Sequence, residues 1–323
     1  MINEFEELVS ELKSLRRGRG LDAPDLTIRT GRRLRVVLRL DEALRPDELR
    51  KGLARRLEDV AAALPDGPRQ AVLIAYGLTE NSAGARFFKK RVELLATLIE
   101  RDARTASRRI DEALTMLAEV ALAGYRERPG SALEDIPPWR TSMLRTVVVL
   151  DQGVPEVFET RRIVTSVEGL DEIELAASIP AVSDGRGSAE NMGFDVLYGG
   201  TVRARSRRST SRVAYSLKLP HGLRRHAEHE LFLRFRFADE RAMRPFYVCT
   251  PEFPCERFEL RVKFPSVATT GHVWRIDGLL PFEVEDAMAQ RKPVAADAAA
   301  EVHFVFTNLV PNRSYGAAWA LAW

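Results

Sequence analysis

Cysteine is rare in this sequence, and neither sign of charge is in marked excess. Two cysteines among 323 residues exclude a fold stapled by several disulfides and are typical of a chain kept in a reducing compartment. The 49 basic and 46 acidic side chains leave a formal net charge of +3, which argues against binding nucleic acid by overall charge alone. Any basic binding site must therefore be local.

Long hydrophobic runs are also missing. The longest uncharged apolar stretch, residues 71–78, is far shorter than the roughly 20 residues that span a bilayer. The first seven residues are acidic where a secretory leader would be cationic and then apolar. We therefore expect a cytoplasmic protein with no membrane partner.

The spacing of apolar residues changes once along the chain. Up to about residue 125 they recur every three or four positions, as in amphipathic helices, and after residue 142 they alternate, as in half-buried strands. Residues 126–141 contain three prolines and a Gly-Ser pair, which is typical of a linker. The pattern predicts an α+β protein of two domains: an all-α domain over 1–125, a linker over 126–141 and an antiparallel β-sandwich over 142–323.

Six or seven helices are expected in the first domain, including a longer one that opens at Pro46 and two more over 86–100 and 105–124. In the second domain, alternating segments separated by Gly, Pro or Ser predict strands. These are 144–150, 157–167, 171–179, 194–204, 211–219, 231–237, 245–249, 258–264, 272–276, 302–309 and 313–323.

The last two helices of the first domain have the layout of a helix-turn-helix. A short polar turn separates them, and Thr105 has the residue type of an N-cap. In a helix-turn-helix the first turn of the second helix enters the major groove, where Arg pairs with guanine while Ser and Thr suit phosphate. The predicted DNA-contacting residues are Arg104, Thr105, Ser107, Arg108 and Arg109.

The segment Thr105-Ala-Ser-Arg-Arg-Ile110 is similar to the start of recognition helices in bacterial repressors, and Ala96 stands where those motifs place a small residue. Two positions differ: Glu100 replaces a usual turn glycine, and Arg101 replaces a usual buried aliphatic residue. Residues 11–34 and 101–113 also resemble uncharacterised Arg/Ala-rich actinobacterial proteins, some of them described as helix-turn-helix regulators. That resemblance implies a regulator and names no ligand.

Two functional hypotheses remain open. The first is a DNA-binding transcriptional regulator, for which a homodimer is the usual assembly, with a β domain that receives a small ligand or a protein. The second is a cytoplasmic adaptor without DNA binding, in which the helical domain docks a partner. The alternative to a helix-turn-helix is an ordinary helical hairpin, in which Arg108 and Glu112 form a surface pair four residues apart.

Two other groups of arginines are candidate anion contacts. Arg16, Arg17 and Arg19 lie in a glycine-containing turn that would suit a phosphate backbone. The second group is expected on a hairpin with serines at its tip, where it would bind an anion or an acidic partner. Its members are Arg203, Arg205, Arg207 and Arg208. A solvated turn is the alternative for both groups.

The remaining signals for chemistry are weak. Cys249 and Cys255 bracket a proline-containing loop and suggest a redox pair, although two thiols do not make a metal cage. His226 and His229 would need a carboxylate such as Glu230 to hold a metal ion. No nucleotide, protease or kinase motif is present, so we expect neither an enzyme nor a cofactor.

Overall fold

The structure, a computed structural model, describes residues 4–41, 44–82, 84–126, 137–178, 192–207, 212–238, 243–266, 270–284, 286 and 291–321. The chain divides into two compact units, Met1–Ser131 and Ala132–Trp323. The first is helical and the second consists of strands, so the predicted α+β fold class is confirmed. Most of the predicted linker lies outside the described residues, and its last three residues belong to the first strand.

The described part of the helical unit contains seven α-helices, and α7 packs against α1, α3, α4, α5 and α6. A helix crossed by so many others buries one whole face, and α7 does so with residues such as Ala106, Ile110 and Leu114. The helices are α1 Glu4–Leu15, α2 Leu26–Arg29, α3 Arg32–Leu38, α4 Pro46–Ala61, α5 Asp66–Tyr76, α6 Phe88–Leu98 and α7 Ala103–Arg126.

Local sequence explains where these helices begin. Helix α4 starts at Pro46, as predicted, because proline needs no hydrogen-bond acceptor at the first helical position. The Glu48 carboxylate accepts the Arg45 backbone N–H at 3.1 Å, which satisfies a donor just before the helix. Among the described residues, no helix combines the length and apolar composition needed to cross a bilayer.

A buried arginine joins three segments of the helical unit. Arg91 of α6 is only 1% exposed, and its guanidinium donates to the carbonyls of Ala75 and Gly18, each at 2.8 Å. Burial lowers the pKa of Arg91. Gly20, at φ +61°, passes so close that a Cβ there would lie 2.5 Å from Arg91 Nη1. The turn after α1 is therefore shaped around this guanidinium.

We predict that Arg91→Met lowers the free energy of unfolding by about 1–3 kcal/mol, because the Ala75 carbonyl stays buried and loses its donor. Denaturant unfolding of the full chain measures this change. Arg17→Met removes an exposed arginine from the neighbouring turn and is the matched control. Equal stabilities of the two variants would contradict the structural role of Arg91.

The described residues of the β unit form three sheets around one large apolar core, and a smaller apolar cluster forms around Ile276, Val284 and Ala318. The six-stranded sheet has the order β12-β9-β1-β2-β7-β4, the four-stranded sheet β11-β10-β13-β8 and the three-stranded sheet β3-β6-β5. The described strands are β1 Trp139–Val149, β2 Glu156–Thr165, β3 Leu170–Ser178, β4 Met192–Tyr198, β5 Thr201–Arg207, β6 Arg212–Leu223, β7 Glu228–Phe237, β8 Phe246–Cys249, β9 Cys255–Lys263, β10 Thr270–Leu279, β11 Lys292–Val294, β12 Glu301–Leu309 and β13 Ser314–Leu321.

Three details of the β unit differ from the predicted strand pattern. Strands β1 and β9 pair in parallel, whereas the other described pairs are antiparallel. The predicted strand 194–204 is two strands, because Gly199 adopts φ +90° where a Cβ would lie 2.2 Å from the Glu230 carbonyl oxygen. The short strand β11 was not predicted.

Candidate functional site

The turn between α6 and α7 is fixed by backbone hydrogen bonds. The Arg101 N–H donates to the Ala96 carbonyl at 3.0 Å, and the Glu100 N–H donates to the Thr97 carbonyl at 3.3 Å. This pair of bonds is the Schellman arrangement, which requires a left-handed residue just after the helix. Glu100 occupies that position with φ +52°. A glutamate thus takes the backbone conformation that a turn glycine would adopt.

Helix α7 is capped by Asp102. Its carboxylate accepts the Thr105 backbone N–H at 2.9 Å and the Thr105 hydroxyl at 2.8 Å. The prediction that Thr105 is the N-cap is therefore wrong: the helix begins two residues earlier, at Ala103, since the aspartate satisfies the free N–H and also complements the helix dipole. These hydrogen bonds, first the backbone one and then that from the hydroxyl, lower the pKa of Asp102.

Three of the five predicted DNA-contacting residues project into solvent. Arg104, Arg108 and Arg109 are exposed on the first two turns of α7. Thr105 and Ser107 are half-buried, and the Thr105 hydroxyl is already bonded to Asp102. The structure therefore does not present the Thr105 hydroxyl as a free contact.

A fourth exposed arginine joins this group. Arg101, which the sequence comparison treated as a departure from the motif, is exposed in the turn just before α7. We name the four side chains the first-turn arginine cluster: Arg101, Arg104, Arg108 and Arg109.

Acidic neighbours modulate the first-turn arginine cluster only weakly. The Arg108 Nε lies 3.7 Å from Glu112 Oε1, so the predicted surface pair is present, with both side chains largely exposed. An exposed pair of this kind contributes about 0.3–0.5 kcal/mol, which a phosphate or a base could readily replace. The ion pair and a ligand-binding role for Arg108 are thus compatible.

The turn after α1 contradicts one prediction. Arg16 was expected to contact phosphate, but it is only 9% exposed and its Nη2 lies 2.7 Å from Asp111 Oδ1 of α7. Its guanidinium also lies 4.6 Å from the centre of the Phe88 ring. Arg19 is half-buried, with its Nε inside the protein. Of the three arginines predicted here, only Arg17 is exposed.

Three of the four arginines predicted to bind an anion in the β unit belong to the edge strand β5. Arg203 and Arg205 are exposed on β5, and the Arg205 guanidinium lies 5.5 Å from the centre of the Tyr215 ring. Arg207 ends this strand, and Arg208 lies outside the described residues.

Two of the three suggested metal ligands, His229 and Glu230, contact other groups. The His229 Nε2 lies 2.5 Å from the Gly199 carbonyl oxygen. Glu230 accepts hydrogen bonds from the Tyr198 hydroxyl at 2.6 Å and from Arg162 at 3.1 Å. The described residues contain no group of three side chains placed to hold a metal ion.

Comparison with known proteins assigns no function. No protein-family model and no curated protein matches the chain. Solved structures that resemble it include a presumed protease from Parabacteroides distasonis, with 8% identity, a TM-score of 0.34 and coverage of 57% of this chain and 40% of that one. The M1 zinc metallopeptidase from Deinococcus radiodurans has 14% identity, a TM-score of 0.29 and coverage of 57% and 43%.

A presumed nutrient-binding protein from Legionella pneumophila has 10% identity, a TM-score of 0.34 and coverage of 57% of this chain and 67% of that one. The chain spans about two fifths of the length of the two peptidase structures, at 40% and 43%. Similarities with such low identities and TM-scores do not assign an enzymatic activity to the chain.

We predict that Glu100→Gly raises the free energy of unfolding by about 0.5–1 kcal/mol, because glycine adopts a left-handed conformation without the clash of a Cβ. Glu100→Ala is the matched control, since it removes the same charge and keeps the Cβ. Denaturant titration of both variants measures the difference. A glycine variant no more stable than the alanine variant would show that the turn carries no such strain.

The N-cap predicts a pH dependence. Since the folded pKa of Asp102 lies below its unfolded value of about 3.9, its contribution to stability is present above that value and disappears as pH falls through the folded pKa. We expect Asp102→Asn to lower the melting temperature at pH 7, because asparagine keeps a cap but loses the charge and one acceptor. The gap between wild type and variant should shrink at pH 3, and a constant gap would contradict the assignment.

Proposed function

We propose that the helical unit binds duplex DNA through the first-turn arginine cluster and that the protein acts as a transcriptional regulator. The observation that carries this proposal is the exposure of Arg104, Arg108 and Arg109 on the first two turns of a helix whose start is capped. A recognition helix needs its amino-terminal side chains free in this way, because they are the ones that reach base edges.

The arrangement of the cluster supports this role. Arg104 and Arg108 are four residues apart and therefore lie on the same side of α7, while Arg109 lies further round the helix. One side chain can thus meet a base edge while another neutralises a phosphate. The positive end of the helix dipole adds to this field. Local positive charge of this kind is compatible with a net charge of only +3.

Rigidity of the turn is the second support. The Schellman bonds end α6 and the Asp102 cap starts α7, so few backbone torsions between the two helices remain free. Helix α7 then enters the major groove of the DNA without a large loss of conformational entropy. In this proposal the β unit receives a ligand or partner, for which the exposed Arg203 and Arg205 favour an anionic chemistry.

Fluorescence anisotropy with a labelled duplex from the promoter region of the protein's own gene tests the proposal. The double variant Arg108→Ala, Arg109→Ala should weaken binding by about 1–3 kcal/mol, roughly 5- to 150-fold in Kd, if either side chain makes a bidentate base contact. The double variant Arg55→Ala, Arg69→Ala removes two exposed arginines from α4 and α5 and should leave the affinity unchanged.

A scrambled duplex of equal length separates base reading from attraction to phosphate. Loss of a base contact reduces affinity for the promoter duplex more than for the scrambled one, whereas loss of a phosphate contact weakens both and lowers the salt dependence. Unchanged binding by the Arg108/Arg109 variant would contradict the proposed interface.

An adaptor role is the second candidate, and one observation favours it. Leu98, the last residue of α6, is 46% exposed beside the turn. An apolar side chain at this position suits a protein partner better than a phosphate backbone. Binding of a protein partner that is insensitive to salt and is lost in the Leu98→Ser variant would support the adaptor over the regulator.

A further inference from the structure

The three-stranded sheet of the β unit carries opposite charges at its two edges. Strand β3 contains three acidic residues and no basic one, whereas β5 contains three arginines and no acidic residue. Within the described part of the chain, both strands pair with β6 alone, which places them at opposite edges of the sheet. The charged residues are Asp171, Glu172 and Glu174 on β3, the acidic edge, and Arg203, Arg205 and Arg207 on β5, the basic edge.

Both edges present exposed side chains. Residues 201–206 of the basic edge are all exposed, and among them is the apolar Val202, with 44% of its side chain in solvent. On the acidic edge Asp171 and Glu172 are exposed. The outer N–H and C=O groups of an edge strand point away from its own sheet, so they can form hydrogen bonds with a further strand.

Other edges of the β unit are protected against such pairing. Strand β8 has only four residues, and β11 has three, of which Pro293 lacks an N–H. At the edge strand β12 the Arg275 side chain donates to the Val305 carbonyl at 3.2 Å, so one backbone acceptor is already bonded. By contrast, β3 has nine residues and β5 has seven, and neither contains a proline. These two strands are long enough to pair with another chain.

Contacts inside the sheet do not cancel the charge of either edge. Asp171 forms an ion pair with Lys218 of β6, but Glu172 accepts a hydrogen bond from the Ser216 hydroxyl, which is a neutral donor. On the basic edge the Arg205 guanidinium lies 5.5 Å from the centre of the Tyr215 ring, and an aromatic ring does not neutralise a cation. Each edge therefore presents charge of one sign to a neighbouring strand.

The signs of these charges decide which edges attract each other. Two basic edges side by side repel, and so do two acidic edges, whereas a basic edge beside an acidic one is stabilised. We propose that copies of this chain associate head to tail, with the basic edge of one copy pairing with the acidic edge of the next. Backbone hydrogen bonds between the strands provide affinity, and the charges select the partner edge. Because the two edges differ, the contact is heterologous and repeats until a ring closes or a filament forms.

This inference names the partner of the β unit as a second copy of the chain. It rests on the proposed function only in the role of Arg203 and Arg205, which receive an anionic partner there, and it does not require DNA binding. An assembly of this kind carries several helical units to one DNA molecule. Binding of the first unit then raises the effective concentration of the others at that DNA.

Size-exclusion chromatography with light scattering tests the association on the full-length chain, without DNA. We expect the measured mass to exceed that of one chain, to rise with protein concentration and to fall as salt is added, because salt screens exposed charges. A chain that stays monomeric at every concentration would overturn the proposal. An assembly that salt leaves unchanged would overturn the part assigned to the charges.

Charge reversal then assigns the contact to the two edges. The double variant Glu172→Lys, Glu174→Lys gives β3 a net positive charge, and the double variant Arg203→Glu, Arg205→Glu gives β5 a net negative charge. We expect each variant to be monomeric alone, because its two edges now have the same sign. An equimolar mixture should assemble again, since the β3 edge of the first variant meets the β5 edge of the second. Restored assembly also shows that both variants fold.

The matched control is Glu58→Lys, Glu80→Lys, which makes the same change of net charge at exposed positions of the helical unit and should assemble like the wild type. A mixture that stays monomeric while circular dichroism shows both variants folded, or a control that dissociates, would overturn the edge pairing. If a double variant does not fold, the single variants Glu172→Gln and Arg203→Gln replace it. Each should raise the dissociation constant by roughly 1.5- to 5-fold, the effect of losing one cross-strand charge pair, and an unchanged constant would count against the proposal.

DNA binding is measured separately, which keeps the two proposals apart. Loss of assembly in an edge variant that still binds a single duplex would concern the β unit alone. A wild type that assembles but does not bind the promoter duplex would contradict the proposed function and leave the edge pairing in place.

Discussion

The guanidinium of Arg91 is the constraint around which the helical unit is arranged. Its hydrogen bonds connect the end of α5 and the turn after α1 to α6. Because it lies so close to that turn, position 20 has no room for a Cβ and is a glycine. Arg16, at the start of the same turn, then reaches Asp111 on α7. A planar group with five donors is suited to collecting carbonyl oxygens from separate segments. The ion pair between Arg16 and Asp111 adds to the apolar packing that positions α7 and its exposed arginines.

Arginine therefore has two different roles in the helical unit. Arg16 and Arg91 are buried and hold backbone and carboxylate oxygens of the protein itself, whereas Arg108 and Arg109 face solvent. Local sequence does not separate the two uses, because the partner of Arg16 lies 95 residues further along the chain. The expectation of a phosphate contact at Arg16 was wrong for this reason. For Arg108, the helical spacing of the apolar residues was enough to predict solvent exposure, since it places that position opposite the apolar face.

Short-range patterns in the sequence predicted the helices and strands, but they did not predict how the strands pair. The change from helical to alternating spacing predicted the α+β layout that the structure shows, and Pro46 begins a helix as expected. Glu100 looked like a departure from a turn motif, yet its backbone adopts the left-handed conformation of the missing glycine because the Schellman bonds require it. No local feature indicates that β1 pairs in parallel with β9, since such pairing is decided by the packing of the whole sheet.

This parallel pairing bears on how the protein is made. Strand β1 lies at the centre of the six-stranded sheet, between β2 and β9, and β9 in turn needs β12 at its other side. Contacts between residues so distant in sequence form slowly, because a long loop must close before they bring any gain. On the ribosome the helical unit is synthesised before the β unit, whereas β1 waits with one edge unpaired until more than a hundred further residues have emerged. An early stop in translation would thus leave a folded helical unit attached to an incomplete and aggregation-prone sheet.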